Sequence, residues 1–420
     1  MSGRVHHVVG AGLAGLGAAV ELARAGERVV VSEAAGQAGG RCRSYLDPQL
    51  GLMIDNGNHL VLSGNRSVRS YLELIGAADR LEGPKDAAID FADLATGRRW
   101  TLRLNDGALP WWILDPGRRA PGTRAVDYLP LLKLMRADGE RTIAAALPTH
   151  GPLWERLLHP FLLAVLNTEP AEASLGLAAA VVRETLAEGG RACRPRIAQP
   201  NLAAAFIDPA LTYLGDHGAT VGFNRRLSSL QTAGGRVTGL VFPDGAMTLG
   251  ELDTVILATP PWIAQDLLPG ISTPRNFRAI LNCHFAMPGP VQAPMMTGVI
   301  GGTVQWVFAF PDRISVTVSA ADELIELDRD VLARRLWTDV ARLFDLQADP
   351  PPGRVVKERR ATFAATPAEA GRRPGSSTPL RNLFLAGDWT DTGLPATIEG
   401  ALRSGAAAAR LARAPLRKAA

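Results

Sequence analysis

Residues Gly10-Ala11-Gly12-Leu13-Ala14-Gly15 carry the spacing G-x-G-x-x-G. Glycines so placed hold a pyrophosphate against bare backbone: Gly10 for a tight turn, Gly12 for close approach of the phosphate, Gly15 for close packing of the next helix on a strand. Alone the motif is weak, but its setting strengthens it. Val5 to Val9 reads as a short apolar strand. Leu13, Leu16, Val20 and Leu22 then recur at helical spacing, Gly26 stops the helix, and Val29-Val30-Val31 reads as a second strand. Glu33 ends that strand, eighteen residues after Gly15. A carboxylate there accepts hydrogen bonds from both adenosine ribose hydroxyls and disfavours a 2′-phosphate. The predicted ligand is FAD or NAD rather than NADP. Its cradle is Gly10, Gly12, Leu13, Ala14, Gly15, Glu33 and Ala34.

The rest of the chain must position this turn. Its 420 residues suggest two or three domains, or one with a large insertion. With 47% hydrophobic and 20% charged residues, a disordered or fibrous chain is excluded. A net charge of +4 is too small to indicate a nucleic-acid partner. Cys42, Cys193 and Cys283 fit neither a disulfide framework nor a metal-ligand spacing, so a reducing compartment and no metal are expected. A secretory signal and a spanning helix are not expected either.

Helical spacing recurs from Leu153 to Val165, with a kink expected at Pro160, and Ser174 reads as the N-cap of a helix through Leu186. Residues 219–258 turn to β, broken by hairpin turns at Ala233-Gly234-Gly235 and Pro243-Asp244-Gly245. An amphipathic helix is predicted over 329–346, a buried strand over 383–386 and a small-residue helix over 396–412. His6 and His7 read as strand imidazoles that satisfy local acceptors.

Gly39-Gly40-Arg41 with Ser44 resembles the second half of the dinucleotide motif in the flavin amine oxidase and phytoene desaturase superfamily. Ala386-Gly387-Asp388-Trp389 looks like that superfamily's C-terminal FAD motif, and Leu257-Ala258-Thr259-Pro260-Pro261 like its strand return. The resemblance implies FAD, with Gly39, Gly40, Arg41, Gly57, Asn58, Gly387 and Asp388 beside it. It also implies a helix entered at Ala396 or Thr397 that points its N-terminus at the flavin. The fold class is then α/β, a Rossmann-like FAD-binding domain with a discontinuous α+β substrate domain. The expected division is 1–85, 201–265 and 376–420 for FAD, and 86–200 and 266–375 for substrate. Only one G-x-G-x-x-G is found, so the electron donor that reduces the flavin is an unknown separate partner.

Two features of the superfamily's amine oxidases are missing. Their cage Tyr falls on Thr397, and no Lys stands near Arg278 to Phe285. Four strings resemble a narrower family, the bacterial hydroxysqualene dehydroxylases: Ile54 to His59, Leu166 to Pro170, Ala192 to Pro195 and Gly387 to Ala401. That resemblance implies a long-chain isoprenoid substrate, hydroxysqualene, reduced to squalene on the route to hopanoids. His59 is the first proton-donor candidate, since an ordinary imidazole pKa of about 6.5 suits the task; the other reading has it orient flavin or backbone. Asp391 is the second candidate, or a turn former. Asn58 joins them as a catalytic candidate. Asn167 and Thr168 orient the hydroxyl or cap locally.

The apolar segment 153–166 reads as a hydrocarbon tunnel wall or as plain packing. Two apolar stretches, from Gly107 and from Tyr128, are flanked by Arg118, Arg119, Arg124, Lys133 and Arg136. They read as peripheral contact with an anionic membrane, or as a lid. The expected location is cytoplasmic, against the inner membrane. The competing readings are a phytoene or carotenoid desaturase, which runs the flavin the other way, and a non-catalytic prenyl-lipid carrier of the same fold.

Overall fold

A computed structural model describes residues 3–135 and 140–416. Arg136 lies outside the described residues. Five strands form one parallel sheet in the order Thr220–Gly222, Arg28–Ser32, Val5–Val9, Thr254–Leu257, Leu383–Leu385. Thr254–Leu257 and Leu383–Leu385 are buried throughout, as expected of strands covered on both faces. Helices Leu13–Arg24 and Ile398–Arg413 pack on each other beside this sheet. Their backbones touch at a glycine: a Cβ on Gly405 would lie 2.3 Å from the Ala14 carbonyl oxygen. The missing side chain at Gly405 thus lets the last helix lie against the first.

A second sheet has seven strands, in the order Gly353–Phe363, Phe277–Ala286, Arg313–Val318, Trp306–Ala309, Met296–Ile300, Ala88–Asp93, Arg99–Arg103. Only Met296–Ile300 and Ala88–Asp93 pair in parallel. Helix Arg329–Phe344 covers it with Leu332, Leu336, Val340 and Leu343, which share a core with Leu281, Phe285, Ile314 and Val316. The strands of the parallel sheet come from 1–85, 201–265 and 376–420, and those of the seven-stranded sheet from 86–200 and 266–375. On that distribution we propose the same five-segment division into two units.

Two local expectations are corrected, at Pro160 and at the end of the helix after Ser174, and a third is resolved between its two readings. Pro160 produces a wide turn: Trp154–Leu158 is π-helical before helix His159–Leu166, because Pro160 has no N–H to give the preceding turn. Ser174 does cap the next helix, accepting from Leu177 N at 3.3 Å, but that helix is Leu175–Glu184. It stops before Leu186 because Thr185 leaves helical geometry. Of the two readings of 153–166, tunnel wall or plain packing, the burial of Leu157, Leu158, Leu162 and Leu166 in the core fits packing.

Candidate active site

The Gly-rich turn sits at the carboxyl ends of the parallel strands. Gly10 has φ +105°, and a Cβ there would lie 2.6 Å from the Ala258 carbonyl oxygen. A Cβ on Gly15 would lie 1.9 Å from the Gly10 oxygen. Both glycines are therefore demanded by backbone contact. Gly12 differs: a Cβ there would meet nothing, and Gly12 is the N-cap of Leu13–Arg24 with no side chain capping it. Open space beside uncapped helix N–H groups fits a pyrophosphate. Leu13 and Ala14 have buried side chains, so only their backbone faces a ligand. Gly39 packs behind this turn, donating from its N to the Ala11 carbonyl at 2.8 Å, and Gly40 follows with φ +56°.

Glu33 is half-buried, and one carboxylate oxygen accepts from Ala11 N at 2.7 Å while the other accepts from Ala35 N at 2.8 Å. It thus ties the Gly-rich turn to the loop after the second strand. A carboxylate has about four lone-pair sites, so acceptors remain for ribose hydroxyls. Ala34 is exposed beside it.

Arg41 reaches the opposite end of the chain. Its Nη2 donates to Asp388 Oδ1 at 2.7 Å and its Nη1 to the Ala361 carbonyl at 2.5 Å. The turn after Gly387 is held from several sides. Gly387 N donates to Ser404 Oγ at 3.0 Å, and Trp389 Nε1 to the Thr259 carbonyl at 3.0 Å. Buried Arg373 donates to the carbonyls of Asp388 and Thr390 and to Thr392 Oγ1. Burial pulls Arg373 down to about 10. No motif in the sequence pointed to Arg373.

Helix Ile398–Arg413 starts where expected, but Thr397 is committed elsewhere: its Oγ1 accepts from Gly400 N at 3.0 Å as the N-cap. A backbone donor near Ala396 or in the first turn is what remains for a ligand. Glu399 is buried and accepts from Ser67 N and Val68 N, both at 3.0 Å, at the start of helix Arg66–Leu74.

His59 and Asn58 meet at a cavity of about 10 Å³ lined by Asp55, Asn58, His59, Ile197, Ala198, Leu202, Phe308 and Phe310. That is room for about one water molecule. Asn58 Nδ2 donates to Thr317 Oγ1 at 3.0 Å, and Thr317 Oγ1 donates to Asn282 Oδ1 at 2.7 Å. Gly57 lies against Asn282, since a Cβ on Gly57 would be 3.1 Å from its Nδ2. Asn282 and Thr317 are site residues that sequence reasoning missed. Asn282 stands on the strand searched for a Lys. Asp55 Oδ1 accepts from Ser44 Oγ at 2.6 Å and Leu202 N at 3.0 Å, and burial pushes its carboxyl up.

His59 lies 4.0 Å from Cys42 Sγ. Burial, and then the positive charge of Arg41, push its imidazole down to about 4. It is therefore neutral near pH 7, against the ordinary value assumed from sequence. Burial likewise pushes Cys42 up to about 12. Asp391 is exposed on the turn before the last helix, where Oδ1 accepts weakly from Gly393 N at 3.4 Å, and it does not line the cavity. Asn167 and Thr168 hold backbone: Asn167 Oδ1 accepts from Ala320 N at 2.7 Å, and Thr168 Oγ1 from Ala365 N at 2.8 Å. Both are buried, and neither lines the cavity at His59.

Residues 13–412 match the family described as flavin containing amine oxidoreductase. The chain is 52% identical to hydroxysqualene dehydroxylase of Rhodopseudomonas palustris, covering 96% of this chain and 97% of that protein. It is 50% identical to hydroxysqualene dehydroxylase of Zymomonas mobilis, covering 97% and 99%. In fold it resembles cyclohexylamine oxidase from Brevibacterium oxydans, with a TM-score of 0.70, 15% identity and coverage of 98% and 99%.

Proposed function

The chain belongs to the flavin containing amine oxidoreductases and, within them, to the hydroxysqualene dehydroxylases, and from that membership we propose that it reduces hydroxysqualene to squalene. It is an FAD-dependent oxidoreductase. The observation that carries this reading is the identity of about half of all residues, over nearly the full length, with proteins of that name.

In the proposed reaction the allylic C–O bond breaks, a C–H bond forms, and the hydroxyl takes up one proton and leaves as water. Bound in its reduced form, FAD supplies the hydride, and a separate electron donor restores that form. The chain's part is to hold, orient and protonate. Gly10, Gly12 and Gly15 cradle the diphosphate, with the backbone of Leu13 and Ala14 at the helix end. Glu33 and Ala34 take the adenosine ribose. Gly39, Gly40, Arg41, Gly57, Gly387, Asp388 and the Ala396–Thr397 helix start surround the rest. Asn58 Oδ1 has no hydrogen-bond partner among the described residues, and we assign it to the substrate hydroxyl. His59 is the first acid candidate and Asp391 the second.

The substrate is a long-chain isoprenoid, which partitions into a bilayer, and we place the protein in the cytoplasm, in peripheral contact with the inner membrane. Among the described residues, no helix is long and apolar enough to cross that membrane. Anaerobic turnover of hydroxysqualene by chemically reduced holoenzyme, with the product weighed by mass spectrometry, tests the reading. Squalene is expected. Untouched hydroxysqualene, together with dehydrogenation of phytoene or squalene by the oxidised enzyme, would replace it with the desaturase reading.

A further inference from the structure

Among the described residues, six of the twelve large exposed apolar side chains fall between positions 109 and 132: Leu109, Trp111, Leu114, Val126, Leu129 and Leu132, each at least half exposed. Leu109 precedes the first of two short 3-10 turns, Trp111–Leu114 and Ala125–Tyr128, and the other five stand on those turns and on helix Leu129–Met135. Alternate residues of the same segment are the anchors. Trp112, Tyr128 and Leu134 are buried, and the Trp112 and Tyr128 rings meet edge to face at 5.3 Å. The inner side is thus fixed by packing, which holds the outer side chains in solvent. A patch of this kind marks an interaction surface rather than the scattered apolar residues of an ordinary exterior.

The charges around the patch say what covers it. The Arg118 guanidinium lies 4.6 Å over the Trp111 ring, and Lys133 is exposed without an ion pair among the described residues. Arg119 bridges the turns, donating to the carbonyls of Ile113 and Thr123, and Arg124 pairs with Asp127 at 3.3 Å. Asp115 and Asp127 are the acids among residues 111–135, against these four cations. Leu and Trp tips between Arg and Lys match acyl chains below anionic headgroups. The buried side also belongs to the same continuous core as Ile197, Phe308 and Phe310, which line the cavity at His59.

Resting on the proposed function, we infer that Leu109, Trp111, Leu114, Val126, Leu129 and Leu132 form a ridge that inserts into one leaflet of an anionic bilayer, with Arg118 and Lys133 at the headgroups. Trp112 takes no part.

Holoenzyme sedimented with phosphatidylcholine vesicles, with and without phosphatidylglycerol, tests this. Wild type should bind the phosphatidylglycerol vesicles, and brominated lipid should quench Trp111, as judged against Trp111→Phe. The exposed triple variant Leu109→Ser/Leu114→Ser/Leu129→Ser should keep its flavin absorbance and its turnover of detergent-dispersed hydroxysqualene. Its vesicle affinity should fall by roughly tenfold or more. Arg118→Glu/Lys133→Glu should lose the preference for phosphatidylglycerol. Equal binding by wild type and triple variant would overturn the ridge. So would absent vesicle binding combined with a wild-type oligomer that the triple variant dissociates, since the patch would then be a protein interface. Vesicle binding without turnover would leave the ridge standing and sink the proposed reaction.

Discussion

Arg41 and Asp388 stand 347 residues apart in sequence and share a 2.7 Å charge-assisted hydrogen bond. The pair joins the glycine turn that follows the first dinucleotide motif to the turn that closes the last strand. The Asp388 side chain is buried, so removing its partner leaves a carboxylate with little solvent to compensate it.

Arg41→Ala should therefore lower stability by about 1.5–3 kcal/mol and reduce FAD retention. The double variant Arg41→Ala/Asp388→Ala should cost less than the sum of the two single changes, because both remove the same bond. Urea unfolding of all three, with flavin absorbance after dialysis, measures the coupling. Strict additivity would show that the pair acts as two independent groups.

Glu33 predicts two effects that one assay would confuse. Glu33→Gln removes charge from the assigned ribose contacts and turns an N–H donor toward one of the two backbone donors it now accepts, Ala11 N or Ala35 N. FAD retention should fall by about 1.5–3 kcal/mol in binding free energy. The apoprotein should also unfold at lower urea, because the clamp exists without FAD. Undiminished FAD after dialysis would remove the ribose role, whereas an unchanged apoprotein midpoint would remove the clamp.

What was legible in the sequence was local. Gly10, Gly12 and Gly15 announce a turn, and Leu13 to Leu22 a helix, because each constraint acts within a few residues. The Ser174 cap and the Gly234-Gly235 turn, with φ +56° and +69°, are of the same kind. What was illegible depends on distant partners. Glu399 caps a helix more than 300 residues away in the chain, at Ser67 and Val68. Arg373 clamps the Asp388 turn without belonging to any motif. Trp111 and Trp112 are adjacent and alike in type, yet only the fold decides that one is exposed and the other buried. The ordinary pKa assumed for His59 failed for the same reason, since burial comes from elements far away in the chain.

His284 makes stability depend on pH. It is fully buried, with Nδ1 2.6 Å from Ser315 Oγ and Nε2 3.0 Å from the Asp55 carbonyl. Burial, then the charge of Arg313, push it down to about 4. The unfolded chain takes up a proton near the ordinary value of about 6.5, while the folded chain resists it. Stability is thus fully present above about 6.5 and declines as pH falls toward about 4, by on the order of 3 kcal/mol. His284→Gln should flatten that slope even if it lowers stability overall. An equally steep slope in the variant would assign the acid sensitivity elsewhere.

The last prediction concerns the proton that accompanies loss of the hydroxyl. His59 and Asn58 line one cavity, whereas Asp391 lies on an exposed turn. With His59 pushed down to about 4, roughly one molecule in a thousand carries the imidazolium at pH 7. If His59 is the acid, the single-turnover rate of reduced holoenzyme should climb as pH falls from about 7 toward about 4, by up to tenfold per unit. His59→Gln should lose roughly 10²–10⁴ in rate, keep its FAD and abolish the climb. Asp391→Asn should leave both rate and profile near wild type. The reverse pattern, a large loss in Asp391→Asn with the climb intact in His59→Gln, would make Asp391 the acid and leave His59 an orienting role beside Cys42 and Arg41.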